Sequence, residues 1–477
     1  MTTPPSTTAP VDDDPTRNYG DKVVAVEPGG IEFIPLNERH GRPLGLMWTW
    51  ASPNLEFATV FVGVLGVLVF GLSFWMAALA ILVGTAGGSL SHAVLSSWGP
   101  KHGLPQMILS RSAFGFLGNL LPAGLMSITA GIGWFAVNSV SGALALSTLT
   151  DMSKGLSLVI IVLIQIAVAF FGHNLVHMFE RLAFPLLAVV FVIAAFSVFG
   201  KAHLSAPASG GLPTVGAFLL EVGAAFGYAA GWNPYASDYT RYLPPEVKGK
   251  AVGLFAGLGV FVSCVVLEIV GAASVTAVAK PSSNPTADFT GIMPSWIANL
   301  TLLAIALGAI SANVLNIYSG AMSFLAMGLR LPLALRRAIV AILFGAIGLA
   351  VAFTGLDDAG AKYESFLLVI AYWIGPWLAV VFTDRWLRRG TSINRLVGET
   401  RYQNWAGPIA MLVGMAVSIW LFSNQSKYLA PIPKAHPAIG DITFEVGFVL
   451  AAVLYFVLFH ALKPRVDTVR EGGMLVK

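Results

Sequence analysis

Apolar runs of about twenty residues recur from Leu44 to Leu462, and no other feature constrains this chain as strongly. A helix of that length crosses the ~30 Å hydrocarbon layer of a bilayer. In hydrocarbon every backbone N–H and C=O must be satisfied within the structure, so repeated runs predict an all-α integral membrane protein. The composition agrees, with 56% hydrophobic and only 11% charged residues, which excludes the soluble globular classes.

Twelve transmembrane helices are expected, near 44–72, 74–97, 119–148, 156–172, 179–199, 214–242, 251–279, 295–327, 332–354, 363–382, 406–424 and 443–462. With the N-terminus inside, the outside loops carry only Lys154, Lys201, Lys280, Lys362, Lys427 and Lys434, and the other 22 of 28 basic residues fall inside. That asymmetry predicts a multi-pass cell-membrane protein with both termini cytoplasmic. Residues 1–30, rich in Pro, Thr and Asp, read as a disordered tail rather than a signal peptide, and 463–477 as a second tail. The basic residues form no continuous stripe, so no nucleic-acid partner is expected; Cys264 is the sole cysteine, so no internal disulfide can form.

Two spans are interrupted by proline at corresponding places. In "WTWASPNLEF" the first span meets Ser52-Pro53-Asn54, and in "GYAAGWNPYASDYTRYLP" the sixth meets Asn233-Pro234. Proline removes a ladder donor and clashes with the preceding turn, and the residue before it is pushed out of helical angles. The first span runs outward and the sixth inward, so the breaks occupy matching positions in halves of opposite topology. Such a pair is the sequence pointer to an inverted-repeat transporter with its binding site near the bilayer midplane.

Polar residues cluster around the same depth. Trp134 and Asn138 lie four apart in "GIGWFAVNSVSG", on one face of the third span; "ISANVLNIYSG" places Ser311, Asn313 and Asn316 in the eighth. An indole that stacks and an amide that both donates and accepts suit a flat heterocycle; interhelical hydrogen bonding is the other use for such amides. Glu56, Glu221 and Glu268 fall inside apolar runs, where an ionised carboxylate is costly. His173, His177 and Glu180 share a helical spacing that could bind a metal, but their place at the cytoplasmic boundary favours solvation, and no metal or other cofactor is expected.

Four motifs together resemble the purine-cytosine permease branch of the nucleobase:cation symporter family: "GLPQMILSRSAFGFLGN", "GWFAVN", "GWNPYASDYTRYLP" and "NVLNIYS". The resemblance runs from about Ile31 through the twelfth span. It implies a LeuT-like fold of two inverted five-helix repeats, about 44–199 and 214–382, with two further helices over about 406–462, together a transporter domain of 31–462. It also implies symport of a nucleobase-like ring, with Trp134 stacking, Asn138 and Asn316 reading the ring edge, and Ser52 polar at the first break. Asn313 neighbours this set. The sixth-span aromatic is Trp232 or, one turn earlier, Tyr228. Glu180 matches a carboxylate implicated in uptake. Sodium-coupled members present two adjacent hydroxyls on the eighth helix, whereas Ile310 precedes Ser311 here. Proton coupling through Glu56 is therefore expected, with a sodium-coupled carrier of allantoin- or hydantoin-like rings, or an uncoupled channel, as alternatives. A membrane-embedded enzyme is disfavoured, since no nucleophile, metal or paired-carboxylate constellation stands out. The substrate's identity and the oligomeric state are left open.

Overall fold

Helices account for the apolar runs. The computed structural model describes residues 30–170, 173–329 and 336–464, excepting the side chains of 169, 170, 173–183 and 336–341. Seven of its helices are long and apolar enough to cross a membrane: Phe74–His102, Leu120–Thr150, Thr214–Thr240, Gly249–Val275, Ser295–Ala326, Ala359–Leu387 and Thr443–Leu462. An eighth span is the bent pair Gly45–Asn54 and Phe57–Val69, and shorter apolar helices lie at Lys154–Val168, Phe184–Phe199, Ile342–Gly355 and Ala406–Phe422. These shorter helices stand where the fourth, fifth, ninth and eleventh spans were expected, so the spans are numbered first to twelfth in chain order.

Both expected interruptions are present, but they differ in kind. In the first span a 3-10 turn at Ser52–Asn54 gives way to Leu55 (φ −80, ψ 67) and an extended Glu56 (φ −151, ψ 174), and the two halves meet at 63°. Two residues outside helical space redirect the axis. In the sixth, Gly231, Trp232 and Tyr235 all keep right-handed helical angles, and only the hydrogen bonding tightens to a 3-10 turn at Asn233–Tyr235. Proline at the second position of that turn costs little, because the first donors of a helical turn have no partner within it. The sixth span therefore passes the break without a sharp bend.

Packing partners repeat across the two halves. The second span packs on the sixth, and the seventh packs on both halves of the first; the third packs on the fourth and ninth, and the eighth on the fourth and ninth. The fifth packs on the eighth and the tenth on the sixth. Exchanging each of the first five spans for its counterpart five positions later maps the contact between the second and sixth onto that between the seventh and first, as a two-fold inverted repeat requires. The eleventh and twelfth spans lie outside this relation, packing on each other and on the tenth. A short hairpin, Asn424–Gln425 with Tyr428–Leu429, links them.

Close helix approach depends on glycine where the first and seventh spans meet. A Cβ on Gly63 would fall 1.7 Å from the Glu268 carbonyl oxygen, and one on Gly271 would fall 1.8 Å from that of Val60. Reciprocal glycines let two backbones touch where lipid supplies no hydrophobic drive for association. In the sixth span Gly227 does the same against the Leu367 carbonyl of the tenth, at 2.3 Å. We expect Gly271→Val to lower the thermal unfolding midpoint of the purified protein markedly, from a clash of about 1–3 kcal/mol or more. Gly291→Ala, which meets nothing within 4 Å, should leave the midpoint where it is; equal midpoints for both variants would refute the close-packing account.

Candidate functional site

The break in the first span leaves polar backbone in the bundle interior, and neighbouring side chains take it up. Asn54 sits at the turn and is fully buried; its amide nitrogen donates to the Trp50 carbonyl (2.7 Å) and to Ser263 Oγ of the seventh span (3.1 Å). Its Oδ1 accepts the indole N–H of Trp232 at 2.8 Å. Trp232 also meets Trp50 edge-on, and its carbonyl is 3.1 Å from His92 Nδ1 of the second span. Asn233 donates to Ser91 Oγ at 2.6 Å. Both breaks are thus tied to one another and to the second and seventh spans.

A second polar group joins the third and eighth spans. Asn138 donates to Asn313 Oδ1 (3.1 Å), and Asn316 donates to the same oxygen (3.1 Å). Asn313 Nδ2 donates to the Phe135 carbonyl (2.9 Å) and Ser139 Oγ (3.2 Å), and Ser139 donates to Gln165 of the fourth span (2.9 Å). From the sixth span the Tyr235 hydroxyl donates to Asn316 Oδ1 at 2.6 Å. Asn138 Oδ1 is buried and unbonded.

Trp134 stands one turn before Asn138. A π-helical turn at Thr129–Trp134 leads into it, shifting the register of the third span just where the indole projects. Its ring meets Tyr228 edge-on at 5.3 Å, Phe366 at 5.1 Å and Tyr363 at 6.3 Å. A Cβ on Gly231 would lie 3.2 Å from the Trp134 indole, so Gly231 is what lets the sixth backbone approach. Beside Tyr363 and Phe366 lies a largely apolar cavity of about 190 Å³, bordered also by Phe57, Phe61 and Val140.

The carboxyl groups take separate places. Glu56 occupies the N-cap position of the second half-helix of the first span, Phe57–Val64, where the helix dipole favours negative charge. Its Oε1 accepts from the Tyr228 hydroxyl at 3.4 Å, while Oε2 is buried without a partner. Thr59 hydrogen-bonds the same Tyr228 hydroxyl and the Asn54 carbonyl, each at 2.5 Å. Glu268 accepts from Thr85 at 2.7 Å; Glu221, whose oxygens are both unbonded, lies where a Cβ on Gly66 would approach its carboxyl carbon to 2.9 Å.

The structure therefore brings together most of the residues singled out from sequence. Ser52 and Ser311 face each other across the first and eighth spans at 3.5 Å. Asn138, Asn313 and Asn316 form one network, and Tyr228 joins Trp134 to Glu56. Trp232 makes its hydrogen bond to the first break, with its ring against Trp50 and Tyr235. The side chains of Glu180, His173 and His177 lie outside the described residues. Tyr235, Gln165, Tyr363 and Phe366 were missed. Tyr235 directly follows the quoted break, and the i, i+3 aromatics of the tenth span were a legible stripe; Gln165 had no sequence signal beyond its polarity.

The connector between the second and third spans is latched to the same assembly. Gln106 N–H donates to Asp238 (2.9 Å), Ser237 donates to the Leu104 carbonyl (2.8 Å), and buried Arg111 donates to the Ala326 carbonyl closing the eighth span (2.9 Å). Residues 33–447 match the family of permeases for cytosine/purines, uracil, thiamine and allantoin. The chain belongs to that family. It is 29% identical to a purine-cytosine permease of Emericella nidulans (93% of this chain, 92% of the relative) and 28% identical to one of Saccharomyces cerevisiae (92% and 86%). Its fold matches that of Mhp1, a nucleobase-cation-symport-1 family transporter in a closed conformation with bromovinylhydantoin bound. The TM-score is 0.73, with 20% identity over 92% of this chain and 96% of that one. The permease is thus a multi-pass α-helical transporter rather than an enzyme, with the LeuT-like fold.

Asn313 is the hub of the amide network. Asn313→Ala strands two buried amide donors, from Asn138 and Asn316, at roughly 1–3 kcal/mol each. We expect the purified permease to lose several degrees of thermal midpoint in this variant, while exposed Thr354→Ala stays at wild type. A wild-type midpoint for Asn313→Ala would show the network to be dispensable.

Proposed function

We propose that this permease imports a nucleobase or related planar heterocycle of the cytosine/purine class by proton symport and alternating access. One observation carries the reading: a buried amide oxygen with no partner, Asn138 Oδ1, one helical turn from an indole, Trp134, against the sixth-span backbone at Gly231. An unpaired acceptor at that depth is expensive unless a ligand's N–H fills it. The Trp134 face supplies stacking, and Tyr228, edge-on to it, is the sixth-span aromatic beside it, whereas Trp232 is engaged with Asn54, Trp50 and Tyr235. Asn138 and Asn316, the latter held by Tyr235, read the ring edge. Tyr363 and Phe366 separate this place from the apolar cavity beside them, so their displacement opens the outward path. The basic-residue asymmetry supports placing both termini in the cytoplasm, and the domain bounds of 31–462 with two tails follow from the same span reading.

Proton coupling rests on Glu56. Its carboxyl is buried, half unbonded, and shares the Tyr228 hydroxyl with the substrate-side machinery. Ser52 and Ser311 lie where a sodium ion would be sought, but Ile310 supplies no second hydroxyl, and two hydroxyls make a poor ligand set for a cation that prefers several oxygens.

Substrate binding to purified protein provides the test of the site. Trp134→Ala and Asn138→Ala should each weaken binding of the transported ring about tenfold to a hundredfold, from lost stacking and an unread ring edge. Unchanged affinity in both variants would overturn the assignment. For coupling, proteoliposomes with separately imposed proton and sodium gradients distinguish the ions. Wild type should accumulate substrate on the proton gradient, and Glu56→Gln should lose that dependence while still exchanging substrate. Full proton-driven accumulation in Glu56→Gln, or accumulation driven by sodium alone, would contradict the proposal.

A further inference from the structure

At the inner ends of the second and tenth spans the surface opens into a cleft of about 580 Å³ whose walls are basic and aromatic. Lys101 and Arg389 are exposed there, and the Arg385 guanidinium lies over the Trp98 ring at 5.3 Å. Arg385 also donates to His102 Nε2 at 3.3 Å, and His102 Nδ1 lies 2.8 Å from Asn394 Oδ1. An arginine can only donate, so Nε2 accepts and Nδ1 carries the proton towards Asn394. His102 is then neutral, and it orients Arg385 without cancelling its charge. Asp384, the acid that acts on Arg385, is shared: it binds Arg388 at 2.7 Å and also accepts from Tyr455 and Ser112. Among the described residues no carboxylate forms a salt bridge with Lys101, Arg385 or Arg389.

Topology alone does not require this arrangement. The positive-inside bias is met by basic residues anywhere in an inner loop, whereas here three cations without a salt-bridge partner among the described residues line one walled space. We propose that this cleft binds the phosphate headgroup of an anionic phospholipid from the inner leaflet. Phosphate chemistry could equally be supplied by a free anion, but the walls favour a lipid. Val94 and Trp386, both lining the cleft, are 46% and 50% exposed on the outer faces of their helices, so the cleft continues into the lipid-facing surface. An indole at such a rim suits the headgroup level, and Arg389 lies over the Trp386 ring at 5.7 Å. The headgroup would neutralise the cations and clamp the second span to the tenth.

Native mass spectrometry of the delipidated full-length permease, titrated with phosphatidylglycerol and phosphatidylcholine, tests this directly. Wild type should retain one phosphatidylglycerol in preference to phosphatidylcholine. The combined Lys101→Gln, Arg385→Gln and Arg389→Gln variant should bind it on the order of a hundredfold more weakly, from about fivefold per charge removed. Arg385→Lys with Arg389→Lys keeps the charge and should keep most of the preference, and Arg395→Gln, an exposed charge outside the cleft, should match wild type. Substrate binding by each variant confirms that it is folded. An undiminished phosphatidylglycerol preference in the triple variant overturns the site, and displacement of the lipid by an equal concentration of inorganic phosphate overturns the lipid as its occupant.

Discussion

The side chain of Asn54 makes the first break possible. A helix that bends by 63° inside a bilayer exposes backbone groups that lipid cannot satisfy. Asn54 bonds the Trp50 carbonyl, Ser263 and the Trp232 indole at once. One amide thereby repairs the first span, anchors it to the seventh and fastens it to the break in the sixth. The elements that carry the site hang from that clasp: the extended Glu56 two residues on, Ser52 facing the eighth span, and Gly231 beside Trp134.

Two devices recur in the bundle interior: polar side chains satisfy each other across spans, and glycine stands where helices must touch. The third and eighth spans share an amide network, and the first and seventh share the Gly63 and Gly271 contacts. Several buried polar atoms lack a protein partner, among them both Glu221 oxygens, His92 Nε2 and the Gln106 side-chain amide. Asn138 Oδ1 and Glu56 Oε2 are buried without partners close to Trp134 and Tyr228. These two lie beside the aromatic faces of the proposed site, and a ligand or a proton is the partner the proposed function assigns to them.

Much of this was legible in the sequence, because hydrocarbon enforces period and length so strictly. Span positions, the prolines of the two breaks and the polar residues of the third and eighth spans all follow from patterns that a bilayer penalises when violated. Other features depend on geometry that no pattern encodes. Pro53 and Pro234 look alike in sequence, yet one span bends sharply and the other stays one span, because Leu55 and Glu56 leave helical angles while Gly231, Trp232 and Tyr235 do not. The π-helical turn that aims Trp134 is a register shift with no compositional mark. The partnership of Trp232 with Asn54 spans 178 positions, beyond the reach of any local spacing argument.

Tyr228 gives the coupling proposal its physical content. Its ring lies against Trp134 and its hydroxyl contacts Glu56 and Thr59, so one rigid side chain from the sixth span touches both the proposed stacking face and the proposed proton carrier. Coupling between two sites requires that occupancy of one change the free energy of the other, by the same amount in both directions. On this reading, a ring stacked on Trp134 shifts Tyr228, and the shift alters a hydroxyl donor to the Glu56 carboxyl. Proton loss from Glu56 in turn pulls the Tyr228 hydroxyl towards the new charge and repositions the ring edge that flanks Trp134. Because Tyr228 belongs to the sixth span and Glu56 to the first, the contact also depends on the two interrupted spans staying together, the variable that the proposed alternating access would change.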